Sequence, residues 1–192
     1  KIVLSRAEVG PLPEDHDLLA YVETLAAAYP TAFVCLASSG ETGTWLVATP
    51  ETLISVGSDE ISTMALAGTQ WPDPGADVAA LTWPEKIIEE QGLVADYIRD
   101  AFRDCGFTGV AEVGPHTVQA ANLCHLRSDF TAPLSGADPA ALNALLRALH
   151  PTSAVCGMPK AEAMVKAWQM MYGEIPEKVQ GILVHLLEKY RT

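Results

Sequence analysis

Four side chains in this sequence could do acid–base or metal chemistry if a fold shields them: Lys1, Glu51, Glu90 and His125. A lysine amine can take a proton from water when burial disfavours its ammonium form and lowers its pKa. Lys1 opens a strand-like run, however, and a lysine there is by itself a solvated surface charge. A carboxyl held neutral in a shielded site can donate a proton. Glu51 follows Pro50 between two strand-like runs, where the plain alternative is a solvent-facing turn. Glu90 is placed by helical geometry. At about 3.6 residues per turn, the apolar stripe of residues 84–105 runs through Ile87, Leu93, Val94, Tyr97, Ile98 and Ala101, and Glu90 falls in its middle. A carboxylate facing a core is costly unless paired or bound to a cation, so an internal ion pair, a helix bulge and a magnesium ligand are all open. His125 sits in a strand with apolar neighbours, and a lone strand histidine is more often packed than catalytic.

The elements that must position these groups are mixed. Residues 1–9 read as a strand. Residues 15–29 have helical apolar spacing, with Asp15 or Asp17 able to cap the first turn. Short strand-like runs follow at 32–37, 45–49, 53–56 and 61–66, separated by glycine-containing turns, which predicts an antiparallel meander. Residues 68–75 read as a loop. Residues 84–105 are the clearest helix, with proline at the start and Gly106 past the end. Residues 107–113 and 117–126 predict a second strand pair. Further helices are expected at 138–149, capped by Asp138 with Pro139 following, and at 159–172 and 176–190. Strands and helices without strict alternation predict an α+β fold of layered, largely antiparallel sheets packed with helices.

The 192 residues suffice for one ordinary domain with a sizeable core. With 24 acidic against 12 basic residues the net charge is −12. That argues against nucleic acid, because neutralising phosphates needs clustered Lys and Arg. It leaves a small dianionic ligand open, since a few local cations override a negative mean field. Cys35, Cys105, Cys124 and Cys156 form no C-x-x-C pair. Zinc and redox sites are therefore unsupported, and free buried thiols in a reducing, cytoplasmic compartment are expected. No apolar run approaches bilayer-spanning length, so no membrane partner is expected. There is neither a glycine-rich phosphate loop with lysine nor a G-x-S-x-G elbow.

Four motifs in one order are more specific than these signals: KIVLSR at residues 1–6, ATPE at 48–51, ALAGT at 65–69 and LHPTSAVCG at 149–157. Together they resemble the core of the chorismate-binding enzymes and, within that family, the isochorismate synthases. The resemblance implies an anthranilate synthase component I-like layered α+β fold, here incomplete, and conversion of chorismate to isochorismate. It implies that Lys1 activates the water attacking ring carbon C2 while Glu51 protonates the departing C4 hydroxyl from the opposite face. It further implies Mg²⁺, held partly by Glu90, and substrate contacts from Ala67, Gly68, Thr69, His125, Thr152 and Ala154. Gly68 in this reading permits close backbone approach to the ligand, and His150 is structural. Gln91 departs from the pattern, because many members follow the metal glutamate with histidine. Ala67 argues against the aminodeoxychorismate synthases, which typically carry lysine there. A small residue at Ala154 fits the branch that uses water, whereas the anthranilate-type enzymes prefer threonine there and use ammonia.

The match covers residues 1–163, and residues 164–192 are expected to form a helical tail outside it, with an amphipathic stripe through Val179, Ile182, Leu183, Leu186, Leu187 and Tyr190. Family segments expected before Lys1 and after Ala163 are not in this sequence. Among them are an arginine that holds the substrate carboxylate and a second metal glutamate. Well-oriented reactants account for roughly 7–11 kcal/mol of a barrier, so the 192-residue polypeptide alone is expected to be nearly inactive. The resemblance implies a monomeric parent enzyme whose product feeds menaquinone or catechol-siderophore synthesis. Two other readings stay open: a salicylate synthase, which adds pyruvate elimination, and a non-catalytic truncated relative that packs against a partner.

Overall fold

The computed structural model describes residues 3, 10–11, 16–134 and 138–173. The strand expected over residues 1–9 (Val3 apart) and the helix expected over 176–190 lie outside the described residues, and Lys1 with them. Helix α1 (Leu18–Ala28) begins where the Asp17 carboxylate accepts the backbone N–H groups of Leu19 at 3.0 Å and Ala20 at 3.1 Å. Those donors have no partner inside the helix, so the cap stabilises its first turn. The helix packs on a hairpin of β1 (Phe33–Ser39) and β2 (Gly43–Thr49), paired antiparallel from Phe33 opposite Thr49 to Ser39 opposite Gly43.

The expected single meander is instead divided between two sheets. Among the described residues β1 and β2 pair only with each other. Strands β3 (Ser55–Val56) and β4 (Glu60–Gln70) join β5 (Ala111–Ala120) and β6 (Leu123–Pro133) in a four-stranded antiparallel sheet of order β3-β4-β6-β5. Pro50, which has no N–H to donate, follows the last ladder residue of β2 and ends that pairing. Local spacing identifies strands but not their partners.

One face of β4 is buried at Ile61, Thr63, Ala65 and Ala67, in the alternation a half-covered strand requires. Helix α2 (Glu85–Asp104) covers this face. The core joins Ile61, Phe130 and Ala132 of the sheet to Val94, Ile98 and Phe102 of α2 and to Leu145 and Leu149 of α3 (Pro139–Leu149). Phe102 and Phe107 meet edge to face at 5.6 Å. Asp138 caps α3 by accepting the Ala140 N–H at 2.9 Å. Short α4 (Ser153–Cys156) and α5 (Lys160–Tyr172) complete the described chain.

The elements depart from the sequence expectation at several points, and β4 runs on to Gln70, into the loop expected over residues 68–75. Strand β5 continues through residues 114–116, where Gly114 and Pro115 form a bulge, and the turn to β6 comes at residues 121–122. A Cβ on Gly114 would lie 2.7 Å from the Arg127 carbonyl oxygen, so the bulge requires glycine. The proline is tolerated because β5 is an edge strand. Helix α2 is also rotated by one position. Its buried face is Gln91, Val94, Ala95, Ile98, Ala101 and Phe102, while Leu93 is exposed and Glu90 only half-buried. Gln91 occupies the centre, where Nε2 donates to the Ala65 carbonyl at 3.1 Å and to Ser128 Oγ at 3.2 Å, while its Oε1 meets no hydrogen-bond partner among the described residues.

All four cysteines are free thiols, and burial pushes those of Cys105 and Cys124 up, away from thiolate reactivity. No described helix is long and apolar enough to cross a membrane.

Candidate active site

Glu51 follows Thr49 and Pro50 at the exit from β2. Its backbone N–H donates to Thr49 Oγ1 at 3.3 Å, and the residue is half-buried. It lines a narrow cleft with Leu53, Thr63, Tyr97, Thr152 and Ser153, between β4, α2 and the segment that follows α3. The cleft has room of about 10 Å³, the space of one water molecule. Thr152 and Ser153 also line it, and Thr152 Oγ1 and Ser153 Oγ are buried with no hydrogen-bond partner among the described residues.

His125 stands on β6, buried, with Nδ1 2.8 Å from the Gly68 carbonyl oxygen. A carbonyl only accepts, so this contact assigns the proton to Nδ1 and leaves Nε2 as the basic nitrogen. Thr69 Oγ1 lies 3.4 Å from the same nitrogen. The imidazole borders a cavity of about 320 Å³ lined also by Tyr29, Thr31, Ala48, Pro50 and Leu123, at the meeting of the hairpin and the larger sheet. That volume falls in the range of small-molecule sites.

Gly68 makes a close contact within the protein itself. Its φ is +68°, and a Cβ there would lie 2.5 Å from Ile87 Cγ2 and 2.7 Å from the Trp83 ring. The close approach is to the start of α2. Trp83 is itself fixed by a 2.9 Å hydrogen bond from Nε1 to Thr117 Oγ1. Ala67, in register with Leu126, faces the helix-covered side and is buried. Ala154 lines a third cavity, of about 470 Å³, with Val3, Pro151, Met164 and Trp168.

The structure thus brings Glu51 together with Thr152, His125 with Gly68 and Thr69, and Ala154 with Val3. It does not place all of them around one hollow among the described residues. The hollows are neighbours along the chain: Pro50 borders the cavity at His125 while Glu51 borders the cleft, and Pro151 and Thr152 divide similarly.

A family profile described as chorismate binding enzyme matches residues 1–170. The chain belongs to the chorismate-binding enzymes. It is 33% identical over 171 residues to the salicylate biosynthesis isochorismate synthase of Pseudomonas aeruginosa, covering 85% of this chain and 35% of that protein. It is 33% identical over 170 residues to isochorismate synthase DhbC of Bacillus subtilis, covering 83% of this chain and 42% of that one. The crystal structure of DhbC from Bacillus anthracis superposes with a TM-score of 0.67 at 24% identity, over 81% of this chain and 43% of that chain, a likeness of fold. The chain spans less than half the length of these relatives.

Glu90 offers one half-buried carboxylate on α2. Among the described residues no three His, Cys, Asp or Glu side chains gather closely enough to hold a metal ion. One carboxylate is nevertheless what a Mg²⁺ ion that keeps its waters and takes a ligand's carboxylate can use. Sequence reasoning passed over Tyr97, Ser153 and Lys160. The signal for Lys160 was present: a cation in the first turn of a helix opposes the helix dipole, so its placement implies another partner. Its Nζ donates to the Ala148 carbonyl at 2.6 Å and lies 4.6 Å above the Tyr97 ring.

Proposed function

We propose that this chain carries the acid-bearing, chorismate-recognising part of an isochorismate synthase-type enzyme. Water adds at C2 of chorismate and gives its proton to Lys1. The ring double bonds shift, and the C4 hydroxyl leaves as water with a proton from Glu51. Thr152 and Ala154 bound the ring, and His125 offers Nε2 to a substrate hydroxyl. Mg²⁺ is the expected cofactor, held partly by Glu90, and when bound it would neutralise the ring carboxylate.

The observation that carries this reading is the placement of Glu51. A solvent-facing turn glutamate would carry no chemistry, but this one is half-buried beside Thr152, and Pro50 before it borders the 320 Å³ cavity at His125. Shielding of that kind is what keeps a carboxyl available as an acid. The two relatives named as isochorismate synthases support the same direction.

The test is product analysis of the protein expressed from its own reading frame, supplied with chorismate and Mg²⁺ in ¹⁸O-labelled water. Isochorismate carrying one ¹⁸O at C2 is expected. Salicylate with pyruvate would move the chain to the salicylate synthases, and an aminated product would contradict the water-using branch.

A further inference from the structure

We infer that Lys160 is a positioning residue that ties the loop carrying Thr152 and Ala154 to helix α2. The loop runs from the end of α3 to the start of α5, and the Lys160 side chain closes its neck. Nζ donates to the Ala148 carbonyl at 2.6 Å, twelve residues back along the chain, and stands 4.6 Å above the Tyr97 ring. The Tyr97 hydroxyl of α2 donates to the same carbonyl. A carbonyl oxygen has two lone pairs and accepts both bonds at once. The ammonium supplies the stronger of the two.

Within the loop, local bonds shape the single turn of α4. The Val155 and Cys156 N–H groups both donate to the Thr152 carbonyl at 3.0 Å, and the Gly157 N–H donates to the Ser153 carbonyl at 3.0 Å. Leu149 and Cys156 are buried, and apolar burial holds a segment to the core without fixing its orientation. The bonds at Ala148 are directional, and they reach α2 through Tyr97. Tyr97 lines the Glu51 cleft together with Thr152. Glu90 lies about two turns before it on the same face of α2. One tie therefore sets the loop against the helix that bears the expected magnesium ligand. Lysine makes this tie against two opposing effects. It is only 6% exposed, with desolvation pushing its amine down to about 8, and a cation in the first turn opposes the helix dipole. Methionine would fill the same space with neither penalty, so what distinguishes lysine here is the bond its amine makes. That the loop serves the substrate rests on the proposed reading of Thr152 and Ala154 as ring contacts; the tie itself does not.

Hydrogen exchange of the 192-residue chain at pH 7, read by mass spectrometry, tests the tie in K160M and K160R. In K160M the amides of Val155, Cys156 and Gly157 are expected to exchange at least about tenfold faster, while those of β4 and β6 keep their rates. K160R, which keeps a cationic donor able to stack on Tyr97, is expected to restore most of the protection. Unchanged exchange at residues 155–157 in K160M overturns the inference. An equal rise in β4 and β6 overturns it too, because that marks a general loss of stability rather than a released loop. Should K160M fail to fold, K160Q carries the same comparison, since its side chain is one bond shorter than lysine. Supplied with chorismate and Mg²⁺, K160M is expected to show a KM raised about tenfold and K160R a KM near the unmodified value. A K160M KM equal to the unmodified one overturns the substrate role of the tie. A chain that turns over no chorismate contradicts the proposed activity instead, and the exchange rates still decide the tie.

Discussion

Gly68 helps position the site while its missing side chain faces away from it. Its carbonyl fixes the His125 tautomer, and the space a Cβ would fill belongs to Trp83 and Ile87. The φ of +68° adds a conformational demand to the steric one. Gly68→Ala is therefore expected to cost roughly 2–4 kcal/mol, the sum of left-handed backbone strain and overpacking. Urea unfolding measures it, and a loss within about 0.5 kcal/mol, as at an ordinary surface site, would contradict the account. The demand for glycine in ALAGT was legible in the sequence. Its cause was not, because it depends on side chains some fifteen and more residues away that only the packing of α2 against β4 brings close. Glu51 shows the opposite limit, since proline and a turn predict exposure and only tertiary contacts enclose it.

Three helices are joined at one backbone oxygen. Lys160 at the start of α5 and Tyr97 on α2 both donate to the Ala148 carbonyl near the end of α3, two residues before His150. Burial pushes the Lys160 amine down to about 8 from 10.5, so the folded chain holds its proton less tightly than the unfolded chain. The desolvation cost is fully present below the folded value and is relieved as pH rises from about 8 towards the unfolded value, where the unfolded state binds more protons. Relative to K160M, the unmodified chain is expected to gain about 2 kcal/mol between pH 7 and pH 10, after allowance for solvent screening. Stability profiles that run parallel over that range would contradict this role for Lys160. At this scale the helices were legible because capping and apolar spacing are local: Asp17 and Asp138 cap as expected, and α2 lies within two residues of the expected limits. Strand pairing was not. Register is set by partners distant in sequence, which is why the meander divided into two sheets and why residues 114–116, left between two expected strands, lie within β5 around a bulge.

The family was legible in four short motifs, because they gather unusual residue types in a fixed order, and the match over residues 1–170 establishes membership. The gathering of the site was legible only in part. Glu51 and Thr152 share a cleft, whereas His125 and Ala154 border separate hollows. The chain spans less than half of its relatives' length, so the complete enclosure of a substrate belongs to the proposal rather than to the described fold. The claim on which the proposal turns is that Glu51 delivers the proton to the departing hydroxyl. Steady-state turnover of chorismate by E51Q, in the protein expressed from its own reading frame, tests it most directly. Loss of the acid is expected to lower kcat by about 10²–10⁴-fold while chorismate affinity is retained. An E51Q variant that turns over at the unmodified rate would contradict the account.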